Sequence, residues 1–342
     1  MTQGFTPAIE IYGANKDLLN QRLISWEHVD AAGMESDQLT LVIDLEGLEG
    51  LPTLGGTIGL RVGYLESGLV EKGQFKVTRL TPTLFPLRLT LVATAAPFSG
   101  KDETGFKERR TASHGPTTLG ALFRELVSRH GFSPRVDPEL ALIRIAHVDQ
   151  SNETDMSFIT RLAKKYDAVA KPFNDLYVLA KPAQLKNLSG QVIPDVRLSV
   201  TSNNRPGDHA FISATLEETA RTQNQGCKTS FWDGALGKLQ EVITGSAPYK
   251  VIRQKQASEE EAKAIGEAEV RKMLREKYTL KVTCPGDPLL AAEGLLVLDD
   301  TWPDFMRGRW SIKKVTASGK REESYRCVID ASCLDPKAEA KD

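Results

Sequence analysis

The sequence predicts a β-rich α+β fold in which two similar β-modules flank a small mixed α/β region. Three observations support this prediction. Apolar and polar residues alternate near both ends of the chain, the middle shows a helical spacing of apolar residues, and one pattern of glycines and aromatic residues occurs twice. The chain has 342 residues, enough for two or three domains, and its 40% hydrophobic and 26% charged residues are typical of globular proteins.

The repeated pattern consists of three strand-like runs in the same order. Its first copy comprises residues 56–62, 73–79 and 87–93, and its second copy comprises residues 294–298, 308–315 and 325–331. In both copies a glycine opens a strand, a loop follows, and a Gly-polar-aromatic-polar-aliphatic strand leads through a turn to an alternating strand. Half-buried strands resemble one another for physical reasons, so the shared order and spacing are the evidence for duplication. Two related modules indicate a scaffold that presents repeated surfaces to a symmetric partner.

Residues 1–98 are predicted to form the first β-module. Short alternating runs around Ile9, Leu41, Leu60 and Leu89 are separated by turns that contain glycine. Several short strands at this spacing are typical of a sandwich or a barrel.

Residues 99–116 are predicted to connect this module to a small α/β domain at 117–190. The connector contains a short basic cluster at 107–110, for which a solvated surface is a simpler interpretation than a phosphate site. In the small domain, Thr117 or Thr118 is expected to cap the first helix.

Residues 191–334 are predicted to form the second β-module, and the tail at 335–342 is predicted to be flexible. A long helix at about 258–277 interrupts this module. It begins with a capping-box sequence at 258–261 and carries only a thin apolar stripe. We therefore expect a helix that lies on a surface or packs lightly against a neighbour.

The charge and the cysteines disfavour several classes of protein. A formal net charge of −1 gives no basis for tight, sequence-independent binding to nucleic acid, which needs many cations on one face. No apolar run approaches the roughly 20 residues that a membrane helix requires, and the N-terminus lacks a secretory signal. The four cysteines match no zinc spacing, so we expect them to be core residues. We expect a soluble protein made in the cytosol, with no membrane and no specific nucleic-acid partner.

No catalytic or cofactor motif is present in the sequence. The five histidines lie in separate segments, and HExxH, GxSxG, GxxxxGK[ST] and GxGxxG motifs are all missing. His28 alternates with Trp26 on a predicted strand, where Glu27 points to the opposite face, so a hydrogen-bonded structural histidine is favoured over an acid–base pair. We expect no catalytic residue, no metal and no cofactor, and therefore no enzyme.

The loop at 301–307 is unusually apolar and has two interpretations. Trp302, Phe305 and Met306 either fold under their own module or present an apolar surface to another subunit. Aromatic residues and methionine are enriched in interface cores, which makes the second interpretation a reasonable one. The sequence leaves both open, and these three are the candidate interface residues.

A further helix is predicted over 153–163, where the sequence reads E-T-D-M-S-F-I-T-R-L-A. This stretch, the N-terminal β-unit and the closing module from Gly294 to Tyr325 together resemble the phage late control gene D protein family, the central hub proteins of contractile-tail baseplates. The helix is similar to the family's acidic-x-Phe-x-x-Arg-Leu-Ala sequence. The N-terminal part of type VI secretion spike proteins is similar too, but those chains continue into a long needle, whereas this sequence ends at Asp342. The resemblance therefore favours a separate hub that docks a separately encoded spike.

The resemblance implies two tail-tube-like β-barrels per chain, at 1–98 and 191–334, and a homotrimer with six such barrels around a channel. A threefold hub of this kind adapts the sixfold tail tube to a trimeric spike. The implied partners are the tail tube protein, the trimeric spike protein, the tape-measure protein and the baseplate wedge proteins. The implied location is the tail baseplate of a phage or of a phage-tail-like bacteriocin, assembled in the host bacterial cytoplasm.

Two other classes of function compete with this hypothesis. One is a tail-associated cell-wall hydrolase, which the missing nucleophile and metal motifs disfavour. The other is a carbohydrate- or nucleic-acid-binding module, and the near-neutral charge disfavours its nucleic-acid version.

Overall fold

The structure is a computed structural model that describes residues 6–32, 36–48, 50–95, 105–106, 108–173, 176–182, 195–219, 224–321 and 323–334. The predicted flexible tail at 335–342 and the first part of the predicted connector lie outside the described residues.

The strands and helices follow the chain in three groups. The first group is β1 (Pro7–Gly13), α1 (Lys16–Arg22), β2 (Leu23–Ala31), β3 (Gln38–Asp44), β4 (Thr57–Tyr64), β5 (Gly68–Thr83) and β6 (Arg88–Ala95). The second group is β7 (Arg109–His114), β8 (Thr117–Thr118), α2 (Leu119–Arg129), β9 (Ser133–Val136), α3 (Pro138–Ala141), β10 (Arg144–Ile145), β11 (Val148–Thr154), α4 (Asp155–Lys165), β12 (Val169–Phe173) and β13 (Leu176–Ala180). The third group is β14 (Val196–Leu198), β15 (Ser213–Glu218), β16 (Gly226–Asp233), β17 (Lys238–Gly245), β18 (Tyr249–Gln256), α5 (Glu259–Lys277), β19 (Tyr278–Pro285), β20 (Leu295–Leu298), β21 (Gly308–Lys320) and β22 (Ser324–Cys333).

Strands of the first and third groups form one sheet made of two six-stranded units. The first unit has the order β1-β4-β5-β6-β3-β2, and the second unit has the order β14-β20-β21-β22-β19-β15. When the strands of each unit are numbered along the chain, both units have the order 1-4-5-6-3-2. The predicted β-rich fold is confirmed, and its two modules share one strand order.

The two units are joined through β2, which pairs antiparallel with the second half of β21, from Ser25 opposite Lys320 to Ala31 opposite Lys314. One hydrophobic core with residues from both units lies against the sheet. The units differ in their first strand, because β1 is antiparallel to β4 whereas β14 is parallel to β20. Within the described residues, no strand pairing closes either unit into a barrel.

The sequence repeat coincides with equivalent backbone geometry in the two units. Gly73 in β5 and Gly308 in β21 have positive φ angles of 115° and 124°, a conformation that glycine adopts without the strain of a Cβ. Two residues after these glycines, the aromatic side chains of Phe75 and Trp310 are buried. Gly308 is the first residue of β21, whereas Gly73 lies inside β5, and in both strands the aromatic residue that follows fills the core.

The irregularities of β5 and β21 also match. A β-bulge follows Val77 in β5 and Ile312 in β21. The amide of Val77 donates to the carbonyl of Gly56 at 2.9 Å, and the amide of Ile312 donates to the carbonyl of Gly294 at 3.0 Å. A bulge bends a strand at one defined residue. Its occurrence at the same place in both copies supports a structural repeat independently of the residue pattern.

The second group forms a small α/β domain with its own hydrophobic core. The hydroxyl of Thr118 caps α2 by accepting from the amide of Ala121 at 3.2 Å, and the hydroxyl of Thr154 caps α4 by accepting from the amide of Ser157 at 3.0 Å. Residues 109–114, which the sequence assigns to the connector, form β7 and pair with β11. This strand therefore belongs to the small domain, because its partner strand β11 does.

In the chain, the residues between β15 and β19 of the second unit form an inserted sheet, β17-β16-β18, and the helix α5. Ser258 caps α5 by accepting from the amide of Glu261 at 3.2 Å, as the capping box predicts. The helix packs more closely than its thin apolar stripe indicates, since a Cβ on Gly266 would lie 2.6 Å from the hydroxyl of Thr244 in β17. Ile265 joins the core of the small domain. Helix α5 therefore connects the inserted sheet to the small domain.

Candidate assembly interface

Charged side chains are buried where the two units and the small domain meet. The ammonium of Lys171 in β12 donates to Asp30 Oδ1 at 3.1 Å, to Asp37 Oδ1 at 3.2 Å and to the carbonyl of Ala31 at 2.8 Å. The other carboxylate oxygen of Asp30 accepts from the amide of Ala292 at 2.9 Å. One lysine of the small domain thus binds the first unit, and Asp30 binds a loop of the second unit.

The pKa values of this cluster show that its charges depend on one another. Burial opposes ionisation of Asp30, but Lys171, His28 and the Ala292 amide outweigh burial and hold the pKa of Asp30 below its usual range. Burial and the charge of Asp30 raise the pKa of Asp37 to about 6. Burial also opposes the charge of Lys171, yet the two carboxylates keep its pKa above the ordinary value. Loss of the lysine would leave uncompensated charge in the interior.

Two further ionisable groups line this junction. The ammonium of Lys72 in β5 donates to the carbonyls of Pro288 at 2.6 Å and Leu290 at 3.0 Å, and burial lowers the pKa of Lys72. Burial lowers the pKa of His28 to about 4, and its Nε2 has no hydrogen-bond partner among the described residues. The His28 ring lies edge-on to Phe75 at 5.5 Å between centroids. His28 is therefore a neutral core residue, as its strand position predicts, but its Nε2 lacks the predicted hydrogen bond within the described part of the chain.

A second buried polar cluster lies inside the small domain. The carboxylate of Asp155 accepts from Nε2 of His130 at 2.7 Å, from the side-chain amide of Gln150 at 2.8 Å and from the guanidinium of Arg129 at 3.3 Å. Burial opposes ionisation of Asp155, but the hydrogen bonds from Gln150 and His130 outweigh it, and its pKa is lower than the ordinary value. The side chains of Asp155 and His130 are both 0% exposed. This cluster fixes the start of α4 and offers no surface to a substrate.

The parts of the chain that the structure describes contain no group of three or more His, Cys, Asp or Glu side chains placed to hold a metal ion. All four cysteines are buried, as expected for core residues. In the same described parts, every helix is too short or too polar to span a membrane.

The predicted interface loop is divided between the interior and the surface. Trp302 is 3% exposed, and its indole nitrogen donates to the carbonyl of Leu198 at 2.8 Å. Met306 is half-buried against the core of the units, and its carbonyl accepts from the indole of Trp310 at 2.9 Å. Phe305 is 69% exposed. The participation of this loop in an interface stays a prediction, and Phe305 is the member whose side chain is available for it.

Two exposed apolar surfaces lie outside the predicted site residues. The turn between β5 and β6 presents three apolar side chains, with Phe85 the most exposed at 87%: Leu84, Phe85 and Leu87. The face of the inserted sheet opposite α5 presents four more: Trp232, Leu239, Ile243 and Val251. Consecutive apolar residues in a turn are a readable signal in the sequence for the first surface. The sequence carries no such signal for the second surface, because alternation in a strand does not show which face of the sheet is covered.

Besides the end strands β1 and β14, both β15 and the second half of β5 have one side without a partner strand among the described residues. β15 pairs only with β19, and the second half of β5 pairs only with β6. Glu217 and Glu218 are exposed on β15, and Arg79 is exposed on β5. An unpaired edge presents amide and carbonyl groups to which another strand can bind. The edges of β15 and β5 are candidate assembly surfaces with backbone groups available.

Curated proteins of two phages are similar to this chain in sequence. The chain is 33% identical over 188 residues to the probable baseplate hub protein of Escherichia phage P2, covering 55% of this chain and 48% of that protein. It is 32% identical over 196 residues to the probable baseplate hub protein of Escherichia phage 186, covering 57% and 49%. The chain spans about half the length of the curated relatives it matches. No protein-family model matches it.

Solved structures share the fold over nearly the whole chain. The tail protein from Neisseria meningitidis MC58 has a TM-score of 0.65 at 9% identity, covering 96% of this chain and 97% of that one. The 43 kDa tail protein of prophage MuSo2 from Shewanella oneidensis has a TM-score of 0.64 at 12% identity, covering 95% and 98%. An E. coli component of the type VI secretion system, described as structurally similar to T4 bacteriophage tail proteins, has a TM-score of 0.56 at 13% identity, covering 97% and 77%. These proteins and the curated relatives confirm the resemblance to baseplate hub and phage tail proteins.

Proposed function

We propose that this chain is a structural hub of a contractile-tail baseplate, that it assembles as a homotrimer, and that it adapts a sixfold tail tube to a trimeric spike. In this proposal each six-stranded unit takes the place of one tube subunit in the assembled hub. The names of the two phage relatives support the baseplate assignment, and the tail-protein structures support the fold that it requires.

The observation that carries this proposal is the shared strand order of the two units, together with the bulge at the same place in β5 and β21. A cyclic trimer repeats every surface three times. Because each chain contains two equivalent units, three chains present six similar surfaces around one axis. Such a ring can contact six tube subunits on one side and three spike chains on the other.

The buried junction supports the same function. A ring of six units needs a fixed angle between the two units of each chain. The contacts of Lys171, Asp30 and Asp37 link both units and the small domain through charges that are costly to separate. The junction is therefore suited to hold the units at a constant angle.

The proposed partners are the tail tube protein, the trimeric spike protein, the tape-measure protein and the baseplate wedge proteins. The proposed location is the tail baseplate of a phage or of a phage-tail-like bacteriocin. The role is structural, and the shape of the assembled ring performs it without catalysis.

The test is the oligomeric state of the purified chain. We expect light scattering to give three times the mass of the chain, and electron microscopy to show a ring with threefold symmetry and six lobes. A monomer over a wide range of concentrations would contradict the trimer. Turnover of purified peptidoglycan by the wild-type protein would contradict the structural role and favour the hydrolase hypothesis.

A further inference from the structure

We infer that a second copy of the chain docks by adding its β15 to the free side of β5, so that the pairing of β2 with β21 inside one chain recurs between chains. This inference rests on the proposed homotrimer and identifies the surface through which it forms. The partner is a second copy of this chain, and the mode of binding is the addition of a strand to a sheet edge.

The free edges of β15 and β5 are the counterparts of the strands that join the units within the chain. β15 is the second strand of its unit, as β2 is of the first, and β5 is the fifth strand of its unit, as β21 is of the second. Inside the chain the second strand of one unit pairs antiparallel with the fifth strand of the other. The same contact between copies needs β15 and β5, and both have an unpaired side among the described residues.

The exposure of equivalent residues supports a missing neighbour at β5. Counted from the matching bulges, Leu80 and Pro82 in β5 correspond to Val315 and Ala317 in β21. Val315 and Ala317 pair with β2 and are buried, whereas Leu80 is half-buried and Pro82 is exposed. Because the two strands occupy equivalent places, a strand added to the free side of β5 accounts for the difference in exposure.

The repeat also gives the register of the contact. Val29 in β2 lies opposite Thr316 in β21. Glu217 in β15 is the counterpart of Val29 in β2, because the two residues have equivalent partners in β19 and β3. Thr81 in β5 is the counterpart of Thr316 in β21, because both are the fourth residue after the matching bulge residues Val77 and Ile312. Glu217 of one copy therefore lies opposite Thr81 of the next. Arg79 of that copy is then diagonal to Glu217 on the same face, where opposite charges attract.

The backbone of β5 suits a single, specific partner. The carbonyl of Lys313 accepts from the amide of Ala32 at 2.8 Å, so every second residue from Lys313 turns its backbone groups toward β2. By equivalence, Leu80 and Pro82 turn theirs to the free side of β5. Pro82 has no amide hydrogen, so its carbonyl alone takes part in the pairing. A proline on an edge limits indiscriminate strand addition.

The test is a disulfide between copies, formed by the double variant Thr81→Cys and Glu217→Cys. Opposed residues at a non-hydrogen-bonded antiparallel position have Cα atoms about 4.5 Å apart, which lies within the range of about 4.4–6.8 Å for a disulfide. Both native side chains are exposed, so the fold tolerates the changes. Mild oxidation should give covalent dimers and trimers on a non-reducing gel, whereas either single variant should give monomer only.

The matched control is the internal double variant Val29→Cys and Thr316→Cys. These residues lie opposite each other within one chain, so oxidation should consume two thiols without raising the mass on the gel. The four native cysteines are buried, and the single variants measure their background.

The outcomes separate this inference from the proposed function. If the wild type is a trimer and the internal pair oxidises while the Thr81→Cys, Glu217→Cys chain does not cross-link, the edge pairing is wrong and the hub stands. If the wild type is a monomer, both are wrong. Covalent trimers of the double variant, with no species beyond three chains, support the pairing and a closed ring.

Discussion

The second strands of the two units, β2 and β15, occupy equivalent places in the sheet but have opposite surroundings. β2 is enclosed, since His28 is buried and Asp30 is bound by Lys171. At the equivalent positions of β15, Leu216 is half-buried and Glu218 is exposed. Strand order therefore sets where a strand lies, whereas the neighbour on its other side determines how deeply its residues are buried. One strand is covered by its own chain, and the other is left open.

The charges under β2 explain how one strand is fixed in this place. A buried ion pair adds little net stability, because the cost of desolvation offsets much of the attraction, but breaking it is expensive. The contacts of Lys171 with Asp30 and Asp37 therefore act mainly against alternative placements of the small domain. β15 lacks such a contact with the small domain among the described residues, which suits a strand that receives its neighbour from another copy.

Lys171→Met removes the cation that binds Asp30 of β2 and should give the largest loss of stability. It leaves Asp30 and Asp37 buried without their cation, so the free energy of unfolding should fall by about 3–5 kcal/mol. Denaturation in urea or guanidinium measures it. The matched control is Lys181→Met, because Lys181 pairs with Glu139 at the surface, where ion pairs contribute little. Equal losses in the two variants would show that the buried cluster has no special role.

His28→Leu copies the residue that β15 carries at the equivalent position, and it should change the pH dependence of stability. Burial holds the pKa of His28 at about 4, against the ordinary 6.5. As the pH falls from 6.5 toward 4, the unfolded chain binds a proton that the folded chain does not, so this residue costs on the order of 3 kcal/mol of stability in acid. The variant should not show this loss. Unfolding curves at several pH values measure it.

Asp37 gives the opposite slope over nearly the same range, which supplies the control. Its pKa of about 6 is above the ordinary 3.8, so its contribution is present below about pH 4 and is lost as the pH rises through 6. Asp37→Asn should therefore steepen the loss of stability in acid, and His28→Leu should reverse it. Parallel pH profiles for the wild type and both variants would contradict these protonation states.

The sequence could predict the repeat because its signals are local. The period of two in a strand and the glycines Gly56 and Gly294 fix where each copy begins, and these residues are equivalent in the structure. The contacts of Lys171 could not be predicted in this way. A lysine in a short alternating strand is expected to face solvent, and its partners Asp30 and Asp37 are distant in the sequence. Side chains that act across domains leave no periodic signal.

Small residues and side-chain hydrogen bonds account for the other differences from the predicted structure. The helix α5 lacks a wide apolar stripe, yet Ala262, Gly266 and Ala268 are buried because small residues let a helix approach a sheet closely. The indole of Trp302 is drawn inward by the carbonyl of Leu198. Every residue carries a backbone carbonyl, so the sequence does not show which one accepts from Trp302. The choice between interior and interface therefore stayed open.

The loop at 301–307 contains one buried and one exposed aromatic residue, Trp302 and Phe305. Phe305→Ala removes an exposed side chain and should change the free energy of unfolding by less than about 0.5 kcal/mol. Trp302→Ala, the matched control, should cost about 3–5 kcal/mol because it empties part of the core. If Phe305 contacts another subunit, its variant should dissociate at higher concentration than the wild type in light scattering while its unfolding curve stays the same. Phe305 is the only one of the three predicted residues that is exposed. If its variant dissociates at the same concentration as the wild type, the loop does not contribute to the subunit interface, and the edges of β5 and β15 hold the subunits together without it.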